Sequence, residues 1–225
     1  MIFSVKQLGS GDKLVLFYIG WRGELKTYNY PIKKLVNAGF KVIAYEYESG
    51  VLTPNIEATL KNAKAILDDS LRKIEENKSA TQIATFGTSY GTLIASLVAK
   101  KSPKVSKVIL NLAGDWLGDT VWSWDRTNKD FKDELIKDGV SKIQLHSAWA
   151  TISSAYQSEK LKDKDVLLYV AKNDHVIPYD RGIALARDLK KGGANVILKT
   201  NRFGHMVSII VNLARSKTYL DFLQK

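Results

Sequence analysis

Six short apolar runs alternate with segments of helical periodicity along this chain, and that alternation limits its architecture more than any other feature. The runs are residues 14–19, 41–46, 82–86, 105–112, 165–171 and 194–199. Continuous apolar runs of this length suit strands buried on both faces. Between them lie helical patterns. Residues 31–38 are closed by Gly39 at the usual stop position. Residues 54–77 have Thr53 as N-cap and Pro54 at the first helical position, and Ile56, Leu60, Ala63, Leu67, Leu71 and Ile74 make one apolar face. Residues 90–100, 180–191 (stopped by Gly192-Gly193) and 206–222 complete the set. Strands alternating with helices predict an α/β fold, a mostly parallel central sheet with helices on both faces.

The alternation breaks once, between about residues 115 and 164. Two helical patterns appear there, at 131–137 and 143–159, together with four of the five tryptophans: Trp116, Trp122, Trp124 and Trp149. A segment of this length leaving the C-terminal end of a strand would overhang the crevice where such sheets bind ligands. The chain therefore reads as one domain over 1–225 with a small helical cap insertion at about 115–164. The four tryptophans are candidates for substrate binding under that cap; the alternative is that they anchor the insertion to the body.

The chemistry-bearing motif is Gly87-Thr88-Ser89-Tyr90-Gly91, set between the run ending at Phe86 and the helical pattern that follows. A serine on so tight a strand-to-helix turn has its hydroxyl lifted clear of the sheet, and glycines two residues either side remove Cβ atoms that would clash. A serine hydroxyl needs a base to become a nucleophile, and the chain has three histidines. His175 is tied by the backbone beside Asp174, a poor place from which to bridge an acid and the serine. His146 lies in the insertion. His205 follows a strand and a glycine, so it reaches the active edge of the sheet and is the candidate base. Asp174, in the turn after the run 165–171, is the candidate orienting carboxylate, with Asp115 in reserve. An oxyanion needs backbone donors: Tyr90 supplies one, and the loop Gly20-Trp21-Arg22-Gly23 supplies the other, taken as the N–H of Trp21.

Composition removes other chemistries. There are no cysteines, hence no disulfide, thiolate metal site or cysteine nucleophile. No His-x-x-x-His pair or dinucleotide or phosphate-loop fingerprint is present, so neither metal nor cofactor is expected. The net charge of +11 comes from lysines spread along nearly every helix, which reads as solvated faces rather than a nucleic-acid footprint. The first residues lack a leader pattern and no apolar run approaches a membrane span, giving the expectation of a cytoplasmic protein with no membrane span.

Together these residues resemble the α/β-hydrolase superfamily, particularly its small capped carboxylesterase, monoglyceride-lipase and serine-aminopeptidase-like members. The resemblance runs from about Leu14 to Phe222 and rests on the Gly87–Gly91 motif, Asn173-Asp174-His175-Val176-Ile177-Pro178 and Gly204-His205. It implies an α/β-hydrolase fold with its cap after the run 105–112, a Ser89, Asp174, His205 triad, and Trp21 and Tyr90 as backbone donors. Two positions depart from the pattern: Ile19 stands where a histidine is common, and Glu46-Tyr47-Glu48-Ser49-Gly50-Val51-Leu52 replaces a glycine-rich loop. The expected function is hydrolysis of a carboxylic ester through an acyl-enzyme, acting on a small-molecule acyl substrate. A thioesterase, peptidase or acyltransferase would use the same triad, and a non-catalytic ligand-binding protein could share the fold.

Overall fold

The computed structural model describes residues 2–225; Met1 lies outside them. In chain order the elements are β1 (Phe3–Leu8), β2 (Lys13–Tyr18), α1 (Asn29–Asn37), β3 (Phe40–Tyr47), α2 (Ile56–Glu76), β4 (Gln82–Thr88), α3 (Gly91–Lys101), β5 (Val105–Asn111), α4 (Leu117–Trp122), α5 (Lys129–Lys137), α6 (Lys142–Ala148), β6 (Asp165–Ala171), α7 (Tyr179–Lys191), β7 (Asn195–Asn201), α8 (His205–Ala214) and α9 (Ser216–Gln224). The strands form one sheet in the order β1-β3-β2-β4-β5-β6-β7. Every neighbouring pair is parallel except β1 with β3. Five of the six apolar runs form its centre: Phe17 lies opposite Phe86, Phe86 opposite Ile109, and Ile109 opposite Leu167, all buried. The sixth, read at 194–199 as a strand buried on both faces, is the edge strand β7, whose residues are all exposed or half-buried.

The direction of the crossovers places the site. β3 lies on one side of β2 and β4 on the other. With right-handed connections, α1 therefore covers one face while α2 and α3 cover the opposite one. α1 packs with α8 and α9, and α2 packs with α3. The loops after β2 and β4 leave toward opposite faces, which opens a crevice at their carboxyl ends. α3 is buried from Gly91 to Ala99, as a helix with small and apolar residues all round must be.

The structure also departs from the sequence reading. β1 is a mostly exposed antiparallel edge strand, with too little apolar content to register as a strand. The long helix begins at Ile56, capped by the Asn55 side chain, which accepts from the N–H of Ala58 at 2.9 Å, so Thr53 and Pro54 lie outside it. The helix read at 143–159 stops at Ala148 and gives way to two short 3-10 turns. The pattern at 206–222 is two helices, broken at Arg215 where ψ reaches 54°. Between β5 and β6, α4 rests directly on α6: a Cβ on Gly118 would lie 2.8 Å from the His146 backbone. No helix among the described residues is long and apolar enough to cross a membrane.

Candidate active site

β4 ends at Thr88 and α3 begins at Gly91, so the chain reverses over Ser89 and Tyr90. Ser89 sits at φ 52°, the left-handed region that L-residues other than glycine seldom occupy. The flanking glycines make that reversal possible. A Cβ on Gly87 would lie 2.3 Å from the Gly91 carbonyl oxygen, and one on Gly91 would lie 2.3 Å from that of Tyr18. The Ser89 N–H donates to the Asn111 carbonyl at 2.9 Å, tying the turn to the end of β5.

His205, the first residue of α8, places Nε2 at 2.9 Å from Ser89 Oγ and Nδ1 at 2.7 Å from Asp174 Oδ2. A carboxylate only accepts, so this contact fixes the proton on Nδ1 and leaves the Nε2 lone pair facing the hydroxyl. The second oxygen of Asp174, Oδ1, accepts the N–H groups of Val176 at 2.8 Å and Ile177 at 2.9 Å. The carboxylate is thus clamped by its own turn, and its side chain is almost wholly buried.

α8 is held to the sheet by an amide chain that is buried at Asn111 and Asn212 and half-buried at Asn201. Asn212 Nδ2 donates to Asn111 Oδ1 at 2.8 Å, Asn201 Nδ2 donates to Asn212 Oδ1 at 3.2 Å, and Ser208 Oγ donates to Asn201 Oδ1 at 2.7 Å. Asn111 also receives the Ser89 N–H on its backbone carbonyl, so one residue registers both the serine turn and the histidine helix. Asn212→Leu strips the partner from a buried acceptor and is expected to cost about 1–3 kcal/mol, read from urea unfolding, with turnover falling as His205 loses its register. Unchanged stability would show that the amide chain holds nothing.

Trp21 and Tyr90 lie on the two sides of the crevice, and among the described residues neither backbone N–H finds an acceptor. Gly20 lets the loop approach: a Cβ there would be 3.5 Å from that of Ser89. The cavity above Ser89 is small, about 50 Å³, and is walled by Trp21, Leu52, Tyr90, Leu93, Leu117, Trp124, Val176 and Ile177, with Thr92 and Thr120 as polar members and no charged side chain. Trp21 contributes its ring as well as its backbone. It stacks on Trp124 at 5.9 Å and 2°, and its Nε1 donates to the Ser49 carbonyl at 2.8 Å.

Of the four tryptophans read as substrate-binding, only Trp124 lines this cavity. Trp149 is fully buried beside Phe131 and its Nε1 donates to the Ile56 carbonyl at 3.4 Å, anchoring the segment to α2 of the body. Trp116 lies tilted against His146 at 4.8 Å, and Trp122 lies under Lys132, both within the β5–β6 segment. Asp115 does not face His205. Its Oδ1 accepts the Trp116 N–H at 2.8 Å and its Oδ2 pairs with Arg181 at 3.4 Å. Burial pushes its carboxyl up from the usual range, opposed by that N–H and by Arg181. His175 is exposed, and His146 Nδ1 lies 3.1 Å from Asp119. Leu93, Leu117, Val176 and Ile177 are cavity walls that the sequence reading does not name as such, and only the last two carry a signal, directly following Asp174; Leu52 ends the loop that stands in place of the glycine-rich segment. Among the described residues no three His, Asp or Glu side chains converge as a metal site.

A model of the prolyl oligopeptidase family matches residues 69–225. Among solved structures the chain is similar to a Pyrococcus horikoshii acylaminoacyl peptidase (16% identity, TM-score 0.73), over 100% of this chain and 42% of that one. It is also similar to an esterase from Exiguobacterium antarcticum (16% identity, TM-score 0.65), over 99% of this chain and 96% of that one. A third similar structure is a monoacylglycerol lipase from Paleococcus ferrophilus (18% identity, TM-score 0.63), over 99% of this chain and 98% of that one. This chain therefore spans less than half the length of the peptidase and nearly all of the other two. At these identities the likeness is one of fold, the α/β-hydrolase fold. No curated protein matches the chain.

Proposed function

The chain belongs to the prolyl oligopeptidase family of α/β-hydrolase serine hydrolases, and from that premise we propose that it hydrolyses carboxylic esters of small, uncharged acyl groups. The observation that carries this reading is the chain of hydrogen bonds from Asp174 through His205 to Ser89, opening onto a cavity of about 50 Å³ with no charged wall. Ligand pockets for drug-sized molecules run to about 300–1,000 Å³, so this one suits a short acyl chain. It offers no carboxylate to hold a peptide's amino terminus.

In this mechanism Ser89 Oγ attacks the ester carbonyl carbon as His205 Nε2 takes its proton. The resulting oxyanion sits between the N–H groups of Tyr90 and Trp21. The tetrahedral intermediate collapses, His205 gives the proton to the leaving alcohol, and the acyl group remains on Ser89. Water then attacks with His205 again as base, which releases the carboxylic acid and restores the serine. Asp174 keeps the imidazole in its tautomer and stabilises the imidazolium. The β5–β6 segment serves as the cap of a single domain and brings Leu117, Thr120 and Trp124 over the serine.

Family membership favours a second reading, peptide-bond cleavage, since a similar structure is an acylaminoacyl peptidase. A panel of p-nitrophenyl esters of rising chain length, run beside thioesters and acylaminoacyl anilides, separates the two. The ester reading predicts highest kcat/KM for the shortest acyl chains and a steep fall with length. Anilides turned over as well as the acetyl ester would replace it with the peptidase reading.

A further inference from the structure

The net charge of +11 is not spread evenly over the folded surface. Residues 25–45 and 189–220 contain Lys26, Lys33, Lys34, Lys41, Lys190, Lys191, Lys199, Arg202, Arg215 and Lys217 and not one Asp or Glu. The two stretches meet where α1 packs against α8 and α9, whereas Lys190 and Lys191 end α7, which packs on β6 and β7 away from that contact. Lys26 and Lys217 are neutralised by Glu24 and Asp221. Among the described residues, Lys33, Lys34, Lys199, Arg202 and Arg215 have no carboxylate at ion-pair distance, and all five are exposed. The scatter of lysines in the sequence thus folds into a cationic face.

An apolar stripe lies within that face. α8 carries no Lys, Arg, Asp or Glu. Ser208, Ile209, Asn212 and Leu213 point inward, whereas Met206, Val207 and Ile210 are 66%, 50% and 63% exposed. Positions 206, 207 and 210 share one side of a helix. Phe203, in the turn leading into α8, is 45% exposed, and Tyr30 on α1 is 50% exposed with Lys34 Nζ 5.4 Å from its ring. Exposed apolar groups gathered on one helix face call for a partner surface.

We propose that the α1–α8 face docks onto an anionic lipid surface, with Phe203, Met206, Val207 and Ile210 entering the headgroup boundary and Lys34 and Arg202 contacting lipid anions. The charge selects this occupant. A helix with an apolar side rimmed by Lys and Arg binds in the plane of an anionic interface, whereas a second copy of this face would bring the same cations together. Met206 and Val207 directly follow His205, so docking would seat the lipid surface beside the histidine end of the site. The inference stands on binding alone and does not depend on which bond the enzyme cleaves.

The test is sedimentation of the full chain with phosphatidylcholine vesicles, with and without phosphatidylserine, at low and high salt. We expect binding only to the serine-containing vesicles and weakening with salt, as screened surface charge requires. Val207→Glu/Ile210→Glu should lower partitioning at least about tenfold, and Lys34→Glu/Arg202→Glu by a similar factor. Both variants should keep wild-type turnover of a water-soluble ester and wild-type circular dichroism. Absence of wild-type binding to the anionic vesicles, or binding indifferent to both variants, would overturn the proposal. So would a wild-type dimer in light scattering that Val207→Glu/Ile210→Glu converts to monomer, since the face would then belong to a second copy.

Discussion

Replacing Ser89 with Ala is expected to lower ester turnover by roughly 10⁶-fold, the scale on which a triad serine is lost, while leaving the fold intact. The hydroxyl hydrogen-bonds only to His205 Nε2, so the change unpairs that single acceptor at the site and no backbone group. The left-handed backbone at φ 52° is as strained for Ala as for Ser, and the N–H bond to the Asn111 carbonyl is kept. Steady-state kinetics beside a thermal melt checks both halves. Residual turnover near the wild-type level would remove Ser89 from the chemistry.

The next largest effects concern the imidazole and its partner. His205→Ala should cost nearly as much as Ser89→Ala, because the two act as one unit. Asp174→Asn is the more discriminating change, with an expected loss of about 10⁴-fold. An asparagine at 174 can still accept the N–H groups of Val176 and Ile177 through its carbonyl oxygen, so the turn survives. Its amide nitrogen would then face His205 Nδ1 as a donor, moving the imidazole proton to Nε2, where it blocks transfer from the serine. Asp115→Asn should spare turnover and act mainly on stability, since Asp115 serves the Trp116 N–H and Arg181. Kinetics of the two variants at matched folding decides between them; a crippled Asp115→Asn with an active Asp174→Asn would reassign the acid.

The centre of the sheet was legible because its strands are buried on both sides, unlike the edge strands β1 and β7. Runs such as Leu14 to Ile19 carry no alternation and fit no surface element. Ser89 was legible for a local reason, the steric demand for Gly87 and Gly91, and that demand appears as the 2.3 Å approaches that any Cβ would make. His205 and Asp174 were found by their place after strands, which the topology turns into proximity: β6 and β7 are neighbours at the carboxyl edge. What sequence could not show was which aromatic rings meet the cavity. Trp116, Trp122, Trp124 and Trp149 look alike along the chain, and only tertiary packing sets Trp124 against Trp21 while burying Trp149. The cationic face was hidden in the same way, because residues 25–45 and 189–220 come together only through the pairing of α1 with α8 and α9.

The central claim is that Ser89 is an activated nucleophile, and fluorophosphonate labelling followed by peptide mass spectrometry measures that directly. A hydroxyl without a base stays unreactive toward the probe, whereas one paired with a neutral imidazole Nε2 attacks phosphorus and keeps the adduct. The account predicts a single adduct per chain, on the peptide containing Gly87-Thr88-Ser89-Tyr90-Gly91, lost in His205→Ala. A folded wild-type chain that takes up no probe, or takes it up at another residue, would contradict it.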